Sequence, residues 1–155
     1  MTDKLQMLLQ QEQDLQFTKF NAEVAWELGC EFIARAKEKN LAVTIDMTLG
    51  QQQIFHASCP GTSADNDEWV KRKVRLVNRV GHSSFYVGQQ LKSKGKTIEE
   101  SLLLSETEYA AHGGCFPIII KGSGMIGTVT VSGLPQEDDH QLVVDVLTDF
   151  LKREN

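Results

Sequence analysis

Long apolar runs are missing from this chain. No uninterrupted stretch of A, V, I, L, M, F, W, Y or C exceeds three of its 155 residues, so a membrane-spanning helix, which needs about 20, is excluded. Cysteine is scarce as well: Cys30, Cys59 and Cys115 are odd in number, widely spaced and in no C-x-x-C pair. They build neither a disulfide framework nor a zinc ribbon, which makes the cytoplasm the expected compartment. Basic charge is outweighed, with 16 Lys and Arg against 21 Asp and Glu and a formal net charge of −5. A general nucleic-acid binder would carry a net basic footprint; neither nucleic acid nor membrane is an expected partner. The opening MTDKLQMLLQQEQDL lacks the basic and continuously apolar parts of a signal peptide, and residues 1–16 read as a helix. No Pro/Gly/Ser linker, repeat or low-complexity segment divides the chain, so 1–155 is expected to form one domain.

What is present is the balance of a globular core, 41% apolar and 24% charged. From Asn21 to Lys39, Val24, Leu28, Phe32 and Ala36 recur every four residues, predicting an amphipathic helix with Asn40 as its C-terminal cap. The period then becomes two: Leu41, Val43, Ile45 and Met47 alternate with Ala42, Thr44, Asp46 and Thr48, a half-buried strand. A second strand runs from about Gln53 to Ser58. Asp65 and Glu68 have capping-box spacing, predicting a helix from about Asn66 with a buried stripe of Trp69, Val70, Lys73, Val74, Val77 and Val80. It should break at Gly81 and resume to Gly95. Thr97 to Glu100 and Ser105 to Glu108 resemble two more capping boxes, each opening a short helix. Ile118-Ile119-Ile120 reads as a central strand, Gly122-Ser123-Gly124 as a hairpin turn, and Met125 to Ser132 as its partner. A last helix carries Leu142, Val143, Val146, Leu147, Phe150 and Leu151. This order predicts an α+β fold, an antiparallel sheet flanked by helices.

Two familiar motifs fail on context. Gly122 to Gly127 spells G-x-G-x-x-G, but Thr128-Val129-Thr130-Val131 follows as a strand, whereas a dinucleotide fingerprint must open a helix. Gly95-Lys96-Thr97 resembles the end of a P-loop, yet Gln90 stands where its first glycine belongs. No H-E-x-x-H or G-x-S-x-G occurs, and the residues alone name no reaction.

Two segments keep a chemical reading. Lys71, Arg72, Lys73, Arg75 and Arg79 place five cations within nine residues. On a helix Arg72, Arg75 and Arg79 share one face and could clamp carboxylates or phosphates; the plainer role is a solvated face, above all for Lys71 and Lys73. His82-Ser83-Ser84 lies just beyond and could complete a polar pocket. In His112-Gly113-Gly114-Cys115-Phe116-Pro117 two glycines permit close backbone approach to a ligand, with His112 as proton carrier or metal ligand. The plainer role there is a tight connection in which the glycines are steric and His112 is a cap.

The stretch Tyr109 to Leu134, with HGGCFPI and the hairpin KGSGMIGTVTVSG, resembles the GlcG/HbpS-like superfamily, known as haem-degrading domains. The helices FNAEVAWELGCEFIARAKEKN and WVKRKVRLVNRVGHSS resemble its uncharacterised branch that includes a yeast cytosolic protein, and the similarity covers residues 20–153. The resemblance implies a profilin-like or PAS-like α+β fold with a sheet of about five strands, the fifth short and near Leu103. It implies a homo-oligomer and a haem or other tetrapyrrole cofactor. Arg72, Arg75 and Arg79 would then hold the propionates and His112 or His82 the iron, His112 first. Gly113, Gly114 and Phe116 would complete the cofactor site. One departure stands out: Cys115 replaces an expected third glycine, crowding the turn and offering a thiolate. The expected function is an oligomeric small-ligand-binding protein for an anionic ligand such as haem; the alternative is a homo-oligomeric interaction module without small-molecule chemistry.

Overall fold

The computed structural model describes residues 2–154. These residues form six helices, α1 (Asp3–Asp14), α2 (Ala22–Lys39), α3 (Ala64–Val80), α4 (Ser84–Lys94), α5 (Ile98–Leu102) and α6 (Gln136–Glu154), and four strands paired as two hairpins, one after α2 and one before α6. The strands are β1 (Thr44–Leu49), β2 (Gln52–Ser58), β3 (Cys115–Ile120) and β4 (Gly124–Ser132), in the antiparallel order β2-β1-β4-β3. The α+β class holds with four strands rather than five. Leu103, near the expected fifth, is the left-handed C-cap of α5 and 87% exposed.

Local chemistry explains most boundaries. Asn21 Oδ1 accepts from the Val24 N–H at 3.0 Å to start α2, and Asn40 ends it with φ 54°. Gly81 and Gly95 end α3 and α4 in the same left-handed way. The start of α3 is corrected: Ser63, not Asp65, is the N-cap, and its N–H donates to Asn66 Oδ1 at 3.0 Å. Thr97 and Glu100 do form the expected box, whereas Ser105 opens only a turn, its carbonyl accepting from Glu108 and Tyr109.

The sheet has two unlike faces. Ile45, Met47, Phe116, Ile118, Val129 and Val131 meet α2 and α6 in the main apolar core. The opposite face presents Thr44, Asp46, Thr128, Thr130 and Ser132, all buried, and α3 lies across it. Strand β1 is therefore buried on both sides instead of half-buried: its alternation is real, but the polar half is roofed by a helix. Strand β3 is also corrected, from a central to an outer position. Pro117, which cannot donate to a ladder, suits an edge. The edge is partly closed by Phe17, which donates to Ile119 O at 2.8 Å and accepts from Lys121 N at 2.9 Å.

A second apolar cluster joins Leu5 and Leu8 of α1 to Leu76, Phe85, Val87, Leu91 and Ile98, so the N-terminal helix packs on its own subunit. Glu12, buried, accepts from His82 Nδ1 at 2.8 Å and from the Ser83 N–H at 3.1 Å. Beside it His140 Nε2 donates to Gln11 Oε1 at 2.8 Å while its Nδ1 has no partner. Burial, with Lys4 adding to it, lowers the His140 imidazole from 6.5 to about 4. The unfolded chain then takes up this proton first, so stability should fall as pH drops from about 6.5 to about 4, by on the order of 3 kcal/mol. Urea titrations across that interval should show the slope in wild type and a shallower one in His140→Gln; equal slopes would refute the assignment.

Candidate functional site

The stretch between α5 and β3 runs along one flank of α3, and His112 is where the two meet. Trp69, one turn into α3, sets its indole edge-on to the His112 ring at 5.5 Å. Arg72 stacks its guanidinium over the indole, 4.1 Å from the Trp69 ring centre, a cation–π contact. Two clefts open on either side of the Trp69–His112 pair and share both residues. The first, about 280 Å³, is lined by Asn66, Lys73, Gln136 and Asp139. The second, about 350 Å³, has Leu91, Ile98 and Tyr109 as apolar wall and Arg72, Lys92 and Lys96 as cations. His112 is exposed at the rim of both clefts, and partial desolvation, then Lys73 and Arg72, hold its imidazole below the usual histidine range. A neutral ring with an available nitrogen lone pair is the form that ligates iron or accepts a proton.

Lys73 forms the floor of the first cleft and is itself buried. Its Nζ donates to Asp139 Oδ2 at 3.2 Å and to Val131 O at 3.3 Å. Desolvation pulls the ammonium below the ordinary lysine value, against the attraction of Asp139. Asp139 is also desolvated, which raises it, but Lys73 and the N–H groups of Leu134 and Gly133 oppose that. The pair ties α3 to the start of α6 beneath the cleft. This corrects the solvated reading of Lys73; Lys71 is exposed and pairs with Glu68 at 2.8 Å. The signal for Lys73 was its place in the apolar stripe with Val70 and Val77. Asp139 carried none, because its partner lies 66 residues away.

The arginine stripe does not converge on one site. Arg72 lines the second cleft, while Arg75 Nη1 donates to Glu108 O at 3.2 Å and Arg79 is exposed, lining neither cleft. His82 is engaged by Glu12 on the α1 side of the molecule, and its ring lies 5.1 Å from Tyr86. Ser83 caps α4, and Ser84 Oγ accepts from the Cys115 N–H at 3.0 Å. The two glycines face protein rather than ligand. A Cβ on Gly113 would stand 2.2 Å from Gln136 O, and one on Gly114 2.2 Å from Val131 O. Phe116 is fully buried in the core with α2 and α6. Cys115 is fully buried, and desolvation pushes its thiol up to about 12, so the thiolate expected there does not form at neutral pH.

A family model for haem-degrading proteins of the HbpS-like kind matches residues 20–148. The chain belongs to the HbpS-like family. Within it, a UPF0303 protein of Psychromonas ingrahamii is 47% identical over 148 residues, covering 96% of this chain and 93% of that one. A UPF0303 protein of Streptomyces coelicolor is also 47% identical, covering 93% and 91%. The solved Ybr137w protein superposes with a TM-score of 0.92 at 32% identity, over 99% of this chain and 91% of its own. HbpS itself shares the HbpS-like fold at TM-score 0.66 and 17% identity, covering 88% and 92%. A structure described as a PduOC:Heme complex does so at 0.68 and 14%, covering 83% and 93%.

Proposed function

We propose that this chain is an oligomeric small-ligand-binding protein whose ligand is an anionic, planar tetrapyrrole of the haem class, seated against His112. One observation carries the reading: an imidazole held below the usual histidine range is exposed between two clefts, with an indole beside it and three cations on one rim. The residues present fit the group. His112 would offer a ring nitrogen to the iron, Arg72, Lys92 and Lys96 would partner the propionates, and Leu91, Ile98 and Trp69 would offer apolar surface. When bound, haem supplies a redox-active iron whose behaviour the axial ligand and neighbouring hydrogen bonds tune. Clefts of about 280 and 350 Å³ are at the small end of ligand pockets, so most of the macrocycle would rest against a neighbouring subunit. A homo-oligomer would supply that surface, and HbpS and the PduOC:Heme complex are relatives in fold.

The test is a haem titration of wild type and His112→Ala followed by absorbance. Wild type should give a saturable Soret band; His112→Ala should shift it and weaken binding by at least about tenfold, roughly 1.4 kcal/mol. A flat titration of wild type would overturn the reading. Weight would then pass to the interaction module, which exposed Trp26, 54% accessible on α2 beside exposed Cys30, favours.

A further inference from the structure

The floor of the first cleft carries an amine with a proton acceptor beside it. Lys73 is buried in the fold and yet lines this cavity of about 280 Å³. An ammonium has three N–H donors. One meets Asp139 Oδ2 at 3.2 Å, one meets Val131 O at 3.3 Å, and the third has no partner among the described residues. Gly114 keeps space beside Nζ, since a Cβ there would stand 2.7 Å from that nitrogen.

The walls select what enters. Gln136 Oε1 accepts from the Gly113 N–H at 3.0 Å, which leaves its Nε2 as a donor on the wall. Asp65, exposed on the same wall, is an acceptor for hydroxyl groups. Two carboxylates, Asp65 and Asp139, face one ammonium here, so the cleft opposes an anion, unlike the second cleft with its three cations. Its volume lies below the usual range for drug-sized ligands and suits a molecule of a few heavy atoms.

We propose that the first cleft captures short, uncharged hydroxy-aldehydes or hydroxy-ketones as an imine on Lys73, an activity separate from the tetrapyrrole reading. Nζ passes one proton to Asp139 Oδ2, and its lone pair forms the N–C bond as the carbonyl π pair moves to oxygen. A second N–H proton passes to that oxygen, and the hydroxyl leaves as water with the proton that Asp139 held. The product is a protonated imine paired with the Asp139 carboxylate, and no oxidant or reductant is consumed. Desolvation pulls the Lys73 ammonium down and the Asp139 carboxyl up, which favours the first transfer.

Limiting glycolaldehyde with cyanoborohydride at neutral pH, followed by peptide mass spectrometry, tests this on the full ligand-free chain. The reductant fixes each imine as a hydroxyethyl amine. A lysine that is only half of a buried ion pair is among the slowest to react, whereas a capture site makes it the fastest. Lys73 should take up label at least about tenfold faster than exposed Lys71, which Glu68 holds as an ammonium. In the guanidinium-unfolded chain that preference should vanish. Glyoxylate, similar in size but anionic, should label Lys73 more slowly than glycolaldehyde does. Lys73 labelled no faster than Lys71 in the folded chain, a preference that persists after unfolding, or faster labelling by glyoxylate overturns the proposal. Lys73→Met, checked for native circular dichroism, should lose the fast phase of labelling; the wild-type map decides the matter even if that variant does not fold.

Discussion

Lys73→Ala is expected to destabilise the fold by about 3–5 kcal/mol, the range for removing one partner of a buried ion pair. The Lys73 side chain is 4% exposed, and its removal leaves the Asp139 carboxylate in the same desolvated pocket. Asp139 keeps the N–H donors of Gly133 and Leu134, at 3.3 and 2.9 Å, which limits the loss. Val131 O also loses a donor. Lys73→Met fills the same space without the charge and should recover only the packing part of the loss. Urea denaturation reads both variants, with an unchanged slope confirming that the transition stays two-state. A loss under about 1 kcal/mol in Lys73→Ala would show that water replaces the ammonium and that the floor of the cleft is wetter than its burial indicates.

Gly114→Ala should be comparably damaging for a different reason. Gly114 has φ +137°, a region that residues with a Cβ rarely enter, and the added carbon would stand 2.2 Å from Val131 O and 2.7 Å from Lys73 Nζ. The carbonyl of Gly114 meanwhile accepts from the Val131 N–H at 3.0 Å, so the two segments cannot separate without breaking that bond. Backbone strain and the clash together should cost at least about 3 kcal/mol. Gly122, at φ +79°, isolates the strain: nothing lies within 4 Å of its Cβ position, and Gly122→Ala should cost about 1–2 kcal/mol. Equal losses at the two positions in thermal or urea unfolding would show that contact with Val131 and Lys73 is unimportant.

Much of the fold was legible because it depends on neighbours in sequence. Asn21 and Asn40 bound α2, Gly81 and Gly95 end the next two helices, and Thr97 with Glu100 starts α5 through contacts spanning at most four residues. Where local signals competed, the reading slipped. Ser63 and Asp65 both offer a side-chain cap, and Ser63 prevails because Asn66 answers it from the helix. Ser105 to Glu108 has capping-box spacing without an apolar stripe after it, and the segment stops at one turn. Three consecutive isoleucines suggested a central strand, yet β3 takes the edge, where Pro117 is harmless and Phe17 supplies part of a fifth partner.

The site was legible only in its parts. His112 and Arg72 stood out as residue types and they do meet, through Trp69. Arg79 is two turns further along α3 and lines neither cleft, and His82, past the left-handed turn at Gly81, bonds Glu12 instead. The roles of Gly113, Gly114 and Phe116 depend on what lies across from them, namely Gln136, Val131 and the α2–α6 core.

Composition, charge and periodicity by themselves determined the class of protein, the positions of most helices and strands, and the absence of a membrane-length apolar run. These follow from local preference and from the match between apolar spacing and backbone period. Tertiary structure alone decided that Lys73 is buried on Asp139, that His56 is shared by Asp46 and Asp67, and that α3 roofs a polar sheet face. Each of these joins groups far apart in the chain whose ionisation and hydrogen bonding depend on the water that packing removes. A linear sequence records the groups but not their desolvation.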